Sequence, residues 1–265
     1  MSGALIVRPR AGGPWTFVPD TLLLTRRNLR LALRTPQLIA LASIMPIMFV
    51  LLFRYVFGGS IHVPGYGRYV DYLIPGIIVQ TSLFGGSSSA VGVAEDLTKG
   101  VTDRLRSLPT NRAAILAART LADLIRLAYT IALMVALGLL VGFRFGNAAL
   151  PVLGGLGIAM LFGYACSWLF TLVGLVVRNV ETAAMGGFLL TFPLVFASSI
   201  FTSTATFPHW LRSFADAQPV TQVANALRAL THGTPAGSAP LQAIAWSVGI
   251  LLVAATLATW RFRKL

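Results

Sequence analysis

The sequence predicts an all-α integral membrane protein with six transmembrane helices, and three observations carry that reading. Hydrophobic residues fill 56% of the 265 positions and charged residues only 11%, whereas soluble domains carry about 25% charged residues. Mean hydropathy is +0.77. The apolar residues gather into six stretches, each long enough for the about 20 helical residues that a hydrocarbon core of about 30 Å requires. The densest group of charges between them is a single insert, Glu95 to Arg106.

The chain before the first span predicts an interfacial helix over Pro19 to Arg34. At about 100° per residue, Arg26, Arg27, Arg30 and Arg34 share one sector, and Leu22, Leu24, Leu29, Leu31 and Leu33 cover the rest. Such a helix lies in the interface with its arginines toward anionic headgroups; as a plainer alternative, it is only a basic topology anchor. Pro36 breaks the chain before the first span. No short apolar core with a small-residue cleavage site precedes that span, so no secretory signal is expected.

The spans follow in order. The first runs from Gln37 to Phe57, uncharged until Arg54, and the second from Tyr72 to Val93. The third ends near Gly142, after an uncharged stretch that begins at Leu127. Ala148 to Val177 makes the fourth, Thr182 to Phe201 the fifth, interrupted by Pro193, and Leu241 to Trp260 the sixth. Between the last two, Phe207 to Asp216 and Pro219 to Thr231 predict short external helices. Pro208 suits a first helical turn, and Val220, Val223, Leu227 and Leu230 share one face. These helices re-enter the outer leaflet or lie along it, because non-helical backbone at that depth must be buried against protein. Residues 1–36 thus form a cytoplasmic segment with its interfacial helix, 37–260 the six-helix domain, and 261–265 a short tail.

Orientation comes from lysine and arginine. Only Arg54, Arg68, Arg144, Arg212 and Arg228 fall on one side; the remaining sixteen of the 21 fall on the other. Both termini and the charged insert are therefore expected in the cytoplasm of a multi-pass plasma-membrane protein. The net charge of +13 has the same explanation, so it does not predict nucleic-acid binding.

In the insert, Leu97, Val101, Leu105 and Leu108 recur at spacings of four, four and three, which predicts one helix from Val93 to Leu108. Glu95, Lys99, Asp103 and Arg106 project elsewhere, and Asp103 is placed to pair with Arg106. Gly100 weakens such a helix by about 1 kcal/mol, suiting a bend or close packing, and Pro109 ends it. The insert is a solvated link or a docking element; mixed charge favours docking, since a surface-bound helix is usually purely basic.

Other clusters carry less. Gly85-Gly86-Ser87-Ser88-Ser89-Ala90 and Gly154-Gly155-Leu156-Gly157 suit close helix packing, or a translocation surface facing a second subunit. Arg119, Asp123 and Arg126 share one flank of the third helix and predict a paired strip near the inner interface. Arg178, Asn179 and Glu181 make a short inner turn.

Several chemistries find no support. Cys166 is the one cysteine, so no intrachain disulfide or cysteine-based metal site is available. The histidines, His62, His209 and His232, fall outside the spans. Ser87 to Ser89 therefore have no intramembrane histidine for hydrolysis. A channel or secondary transporter usually places ionisable groups at the midplane, and spans four and six lack them. Neither Lys99 nor Lys264 completes a Gly-Lys-Ser/Thr phosphate loop.

The stretch Ala94 to Pro109 (AEDLTKGVTDRLRSLP) resembles the first cytoplasmic loop of type-2 ABC exporter permeases, of the daunorubicin/doxorubicin-resistance branch. Tyr72-Leu73-Ile74-Pro75-Gly76-Ile77 resembles that family's entry to the second span. Phe207-Pro208-His209-Trp210-Leu211, Gln218-Pro219-Val220-Thr221 and Ala226-Leu227-Arg228-Ala229-Leu230 resemble its external segment. The resemblance implies a coupling helix for an ATP-binding subunit at Glu95, Asp96, Leu97, Lys99, Val101, Asp103, Arg104, Leu105 and Arg106. It implies a second ATPase contact at Arg178, Asn179 and Glu181, and an outer gate at Phe207, Pro208, Trp210, Leu211 and Leu227. The chain itself is then a non-catalytic permease without cofactor or metal, with ATP and Mg on the partner subunit. It pairs with an identical or related permease and exports amphipathic drug-like or lipid-like molecules. Export of polysaccharide or teichoic acid is the alternative within the same class, and no substrate-binding residue is assigned.

Overall fold

In a computed structural model, residues 17–34, 36–61, 63–101 and 112–264 are described, and among them the chain is helical, without strands. In order come α1 (Phe17–Leu33), α2 (Pro36–Leu51) with a π-helical turn Leu52–Phe57, α3 (Tyr69–Thr98) and α4 (Arg112–Leu140). Then follow α5 (Ala149–Val177), α6 (Val180–Phe196), α7 (His209–Ala217), α8 (Pro219–His232) and α9 (Ala239–Lys264). Four described helices are long and apolar enough to cross a membrane: α3, the Ala114–Leu140 part of α4, α5 and α9. The expected first and fifth spans correspond to shorter apolar helices, Ser43–Phe57 and Val180–Phe196.

Helix α3 is the axis of the bundle: 67% of its apolar window is buried, against 22% for α4 and for α9. It packs on α5 through glycine. A Cβ added to Gly86 would sit 2.7 Å from the Cβ of Cys166, and one added to Gly174 would meet the Ala90 carbonyl oxygen at 2.5 Å. Small residues let helix backbones approach where lipid offers no hydrophobic drive to associate. The run at 154–157 behaves differently. Only Gly155 faces protein, against Leu227 and Leu230, while Gly154 and Gly157 face open space.

Helix α1 docks on α4 by its threonines rather than its leucines. Thr21 and Thr25 are buried, and the Thr25 hydroxyl donates to the carbonyl oxygen of Ala118 at 3.2 Å. Leu22 and Leu23 are exposed. The expected sorting into an arginine face and a leucine face therefore omits a third face, because hydropathy alone does not mark threonine as a packing residue.

Helix α6 stops at Phe196, five residues short of the expected Phe201. The Ser198 hydroxyl donates to the Val195 carbonyl at 2.5 Å and accepts from the Ile200 amide at 3.2 Å, and the Ser199 amide donates to the Thr221 hydroxyl at 3.2 Å. Serine offers the backbone a local alternative to the helical ladder, and here that alternative wins. The freed segment carries Phe201 into a stack with Phe53 and Phe49, with ring centroids 4.2 and 5.9 Å away. Two of the histidines lie at helix ends: His209 opens α7 and His232 closes α8.

Candidate functional site

Polar groups collect at the two ends of α3. The helix spans 30 residues, about 45 Å at 1.5 Å per residue, so it outreaches a hydrocarbon core of about 30 Å. Its C-terminal end carries the first of the expected coupling residues.

The single helix expected from Val93 to Leu108 does not form. Helix α3 ends at Thr98; Lys99 N–H donates to the Glu95 carbonyl at 2.9 Å, and Gly100 N–H to Leu97 at 3.3 Å. Gly100 sits at φ +66, and a Cβ there would meet nothing. Its role is a bend rather than close packing. A glycine in the left-handed region terminates helices strongly enough to override the four-residue apolar spacing. Val101 is helical again; Asp103, Arg104, Leu105 and Arg106 lie outside the described residues.

The described coupling residues split into two groups. Glu95 and Lys99 form an exposed pair at 3.4 Å. Asp96 turns inward to an ion pair with Arg119 of α4, and Leu97 packs beside the cluster of Val93, Leu116 and Leu175. Arg27, Asp96, Val101 and Arg119 line a cavity of about 170 Å³ between α1 and the bundle.

Arg119, Asp123 and Arg126 were expected to pair along one flank of α4. Asp123 and Arg126 do pair, at 2.9 Å, but the strip mainly stitches α4 to α3. The Ser89 hydroxyl donates to Asp123 at 2.5 Å, and Arg126 donates to the Ser88 hydroxyl at 2.7 Å. Two serines of the small-residue run are thus used inside one subunit. At the turn between α5 and α6, Arg178 takes a left-handed conformation (φ 57) and Asn179 Oδ1 accepts from the Thr182 amide at 3.0 Å, capping α6. Arg178, Asn179 and Glu181 are exposed.

At the opposite end, the expected gate residues divide. Pro208 precedes α7, Trp210 is 74% exposed, and Phe207 and Leu211 are partly exposed. Leu227 is fully buried. Helix α7 lies outside, while α8 is almost wholly inside.

The residue missed from sequence is Arg228. Counted there as an outward-facing charge, it is among the largest fully buried side chains, 2% exposed. Its Nε donates to the Tyr72 carbonyl at 3.0 Å. One terminal nitrogen donates to the Ser199 hydroxyl at 3.1 Å and to Asn225 Oδ1 at 3.2 Å; the other donates to the carbonyls of Ser199 at 2.7 Å and Ile200 at 2.9 Å. The guanidinium also lies 3.5 Å from the centre of the Tyr72 ring. No ion pair joins it to a carboxylate among the described residues. The tyrosines hold the same segment from the other side: Tyr69 donates to the Phe201 carbonyl at 2.8 Å and Tyr72 to the Ser199 carbonyl at 2.6 Å. Spacing alone does not reveal this: Ala224 and Thr231 are small, but Asn225 and His232, also one turn from Arg228, are polar, so the burial follows from contacts with Tyr72, Ser199 and Ile200 brought in from elsewhere in the chain.

Next to this knot, Asp71 ties three other segments to the start of α3. It pairs with Arg68 at 2.9 Å, accepts from the Arg144 backbone amide at 3.3 Å, and its own carbonyl lies 2.8 Å from His232 Nε2.

This bundle carries polar groups at both ends of α3, and its sequence has counterparts among known proteins. The model of the ABC-2 type transporter family matches residues 19–231. The chain is a member of that family. It is 35% identical over 209 residues to the "Daunorubicin resistance ABC transporter permease protein" of Streptomyces coeruleorubidus, covering 79% of this chain and 71% of the relative. It is 29% identical over 253 residues to the "Probable doxorubicin resistance ABC transporter permease protein" of Mycobacterium tuberculosis, covering 94% and 90%. It is accordingly an ABC-2 type permease, a multi-pass membrane protein built of apolar helices.

Proposed function

We propose that this permease is the membrane-spanning half of an ATP-driven exporter whose ATPase is a separate polypeptide. The observation that carries the reading is the reach of α3. One rigid, buried helix joins the Glu95–Lys99 end to the clamp around Arg228, so a push on its inner end is felt at the outer segment. In this reading α2 with its π turn and α6 supply two further crossings, giving six. The arginine-rich end faces the cytoplasm, and α7 and α8 form the external re-entrant pair.

The ATPase grips the turn at Glu95 to Arg106, with Arg178, Asn179 and Glu181 as a second contact. Phe207, Pro208, Trp210, Leu211 and Leu227 act as the outer gate. Two permeases pair around the pathway, and ATP with Mg stays on the partner subunit. The resistance named for the relatives supports an amphipathic, drug-like or lipid-like cargo.

The test is co-purification of the two subunits. The unaltered permease is expected to retain its ATPase, and a Glu95→Ala, Asp96→Ala, Arg104→Ala variant to lose it. A complex that survives these changes with full coupling refutes the docking assignment.

A further inference from the structure

We propose that the polar cavity walled by Arg228 binds a phosphate-type oxyanion, free or carried as the headgroup of an amphipathic molecule. The cavity has a volume of about 400 Å³ and is bounded by the loop before α3, the Ser199–Thr204 segment and α8. That size falls within the about 300–1,000 Å³ of small-molecule sites.

Three features choose the ligand's charge. Arg228 reaches the cavity wall, but all its donors are held by neutral acceptors. No counter-charge therefore cancels its field, and its own side chain is buried, where charges interact more strongly than in bulk water. No Asp or Glu lines the cavity. The lining offers donors as well: the Tyr66 hydroxyl, the Asn225 amide, and the hydroxyls of Ser203 and Thr204, none of which donates to an acceptor among the described residues. Burial raises the Tyr66 phenol above its ordinary pKa, against the pull of Arg228, so it stays a donor at neutral pH. A cation flanked by unused neutral donors is the chemistry that recognises an oxyanion, and it disfavours an amine. Arg228 fixes the charge; Tyr66 and Asn225 make the direct bonds.

The proposal concerns binding alone and stands whether or not the cargo itself is anionic. Titration calorimetry on the full-length permease in uncharged detergent tests it, with inorganic phosphate and dodecyl phosphate as probes. Asn225→Asp keeps the Oδ1 acceptor for Ser199 and Arg228, removes the amide donors and sets a carboxylate against the guanidinium. It is expected to weaken binding at least about tenfold while remaining folded by thermal unfolding. Tyr66→Phe, which leaves every charge in place, is expected to weaken it by about tenfold or more, the loss of one charge-assisted hydrogen bond. Saturation by inorganic phosphate assigns the site to a free anion. Saturation by dodecyl phosphate alone assigns it to a headgroup. Heat from partition into micelles is common to all variants and cancels in the comparison. If neither probe saturates at millimolar concentration, or if Asn225→Asp binds as tightly as the unaltered protein, the site does not exist.

Discussion

Replacing Arg228 by methionine tests whether the buried guanidinium holds the outer segment together. The side chain makes five hydrogen bonds and covers the Tyr72 ring. Their loss is not uniform in effect. The Ser199 carbonyl keeps the Tyr72 hydroxyl at 2.6 Å, and Asn225 Oδ1 keeps the Ser199 hydroxyl at 3.1 Å. The Ile200 carbonyl loses the arginine donor it had at 2.9 Å. One orphaned buried acceptor costs about 1–3 kcal/mol, and a desolvated cation–π contact contributes about 2 kcal/mol. Against this, methionine removes the desolvation penalty of a charge without a counter-charge. The net expectation is about 2–4 kcal/mol of destabilisation, since all five donors are satisfied and the penalty is already largely offset. At about 2–4 °C per kcal/mol, the unfolding temperature falls by about 4–16 °C. Thermal unfolding in detergent measures the whole effect, and hydrogen exchange over residues 198–204 locates it. Arg228→Lys retains the charge but only three donors, so it falls between the two. An unchanged or raised unfolding temperature for methionine, with unchanged exchange in that segment, refutes the clamp.

Two other expectations use the bundle itself. Gly86→Val drives a side chain into Cys166 and is expected to lower the unfolding temperature markedly, by the about 1–3 kcal/mol of overpacking. Gly154→Val meets open space and leaves it nearly unchanged; equal effects at the two positions contradict the helix packing. Cys166 is a buried free thiol and is expected to resist a membrane-permeant maleimide until denaturant is added. In a Cys166→Ser background, Arg178→Cys and Trp210→Cys should then label from opposite faces of sealed vesicles. Labelling of both from one face would refute their placement at opposite ends.

Much of the architecture was legible in the sequence, because a bilayer filters residues by polarity over lengths fixed by its thickness. The fourth span differs by one residue at its start, and α8 carries the predicted face, with Val220, Val223 and Leu227 buried and Leu230 partly buried. Errors arose where one local interaction outweighed a pattern. Apolar spacing from Leu97 to Leu108 favoured an unbroken helix, yet Gly100 turns the chain. Hydropathy carried the fifth span to Phe201, yet Ser198 unravels it early. The candidate site was legible only in part: the charges at Glu95 and Lys99 stand out in any reading, whereas the partner of Asp96 lies 23 positions away on another helix.

The order of residues alone determined the class of protein, its apolar helices and which segments are polar, since these follow from transfer free energies summed over contiguous stretches. Tertiary structure alone decided which charges remain available to other molecules. Asp96 is bound to Arg119, and Arg228 is enclosed by carbonyls contributed from α3 and from the segment after α6. The physical reason is that the cost of burying a charge depends on acceptors brought together from distant parts of the chain, and folding, not adjacency, assembles them.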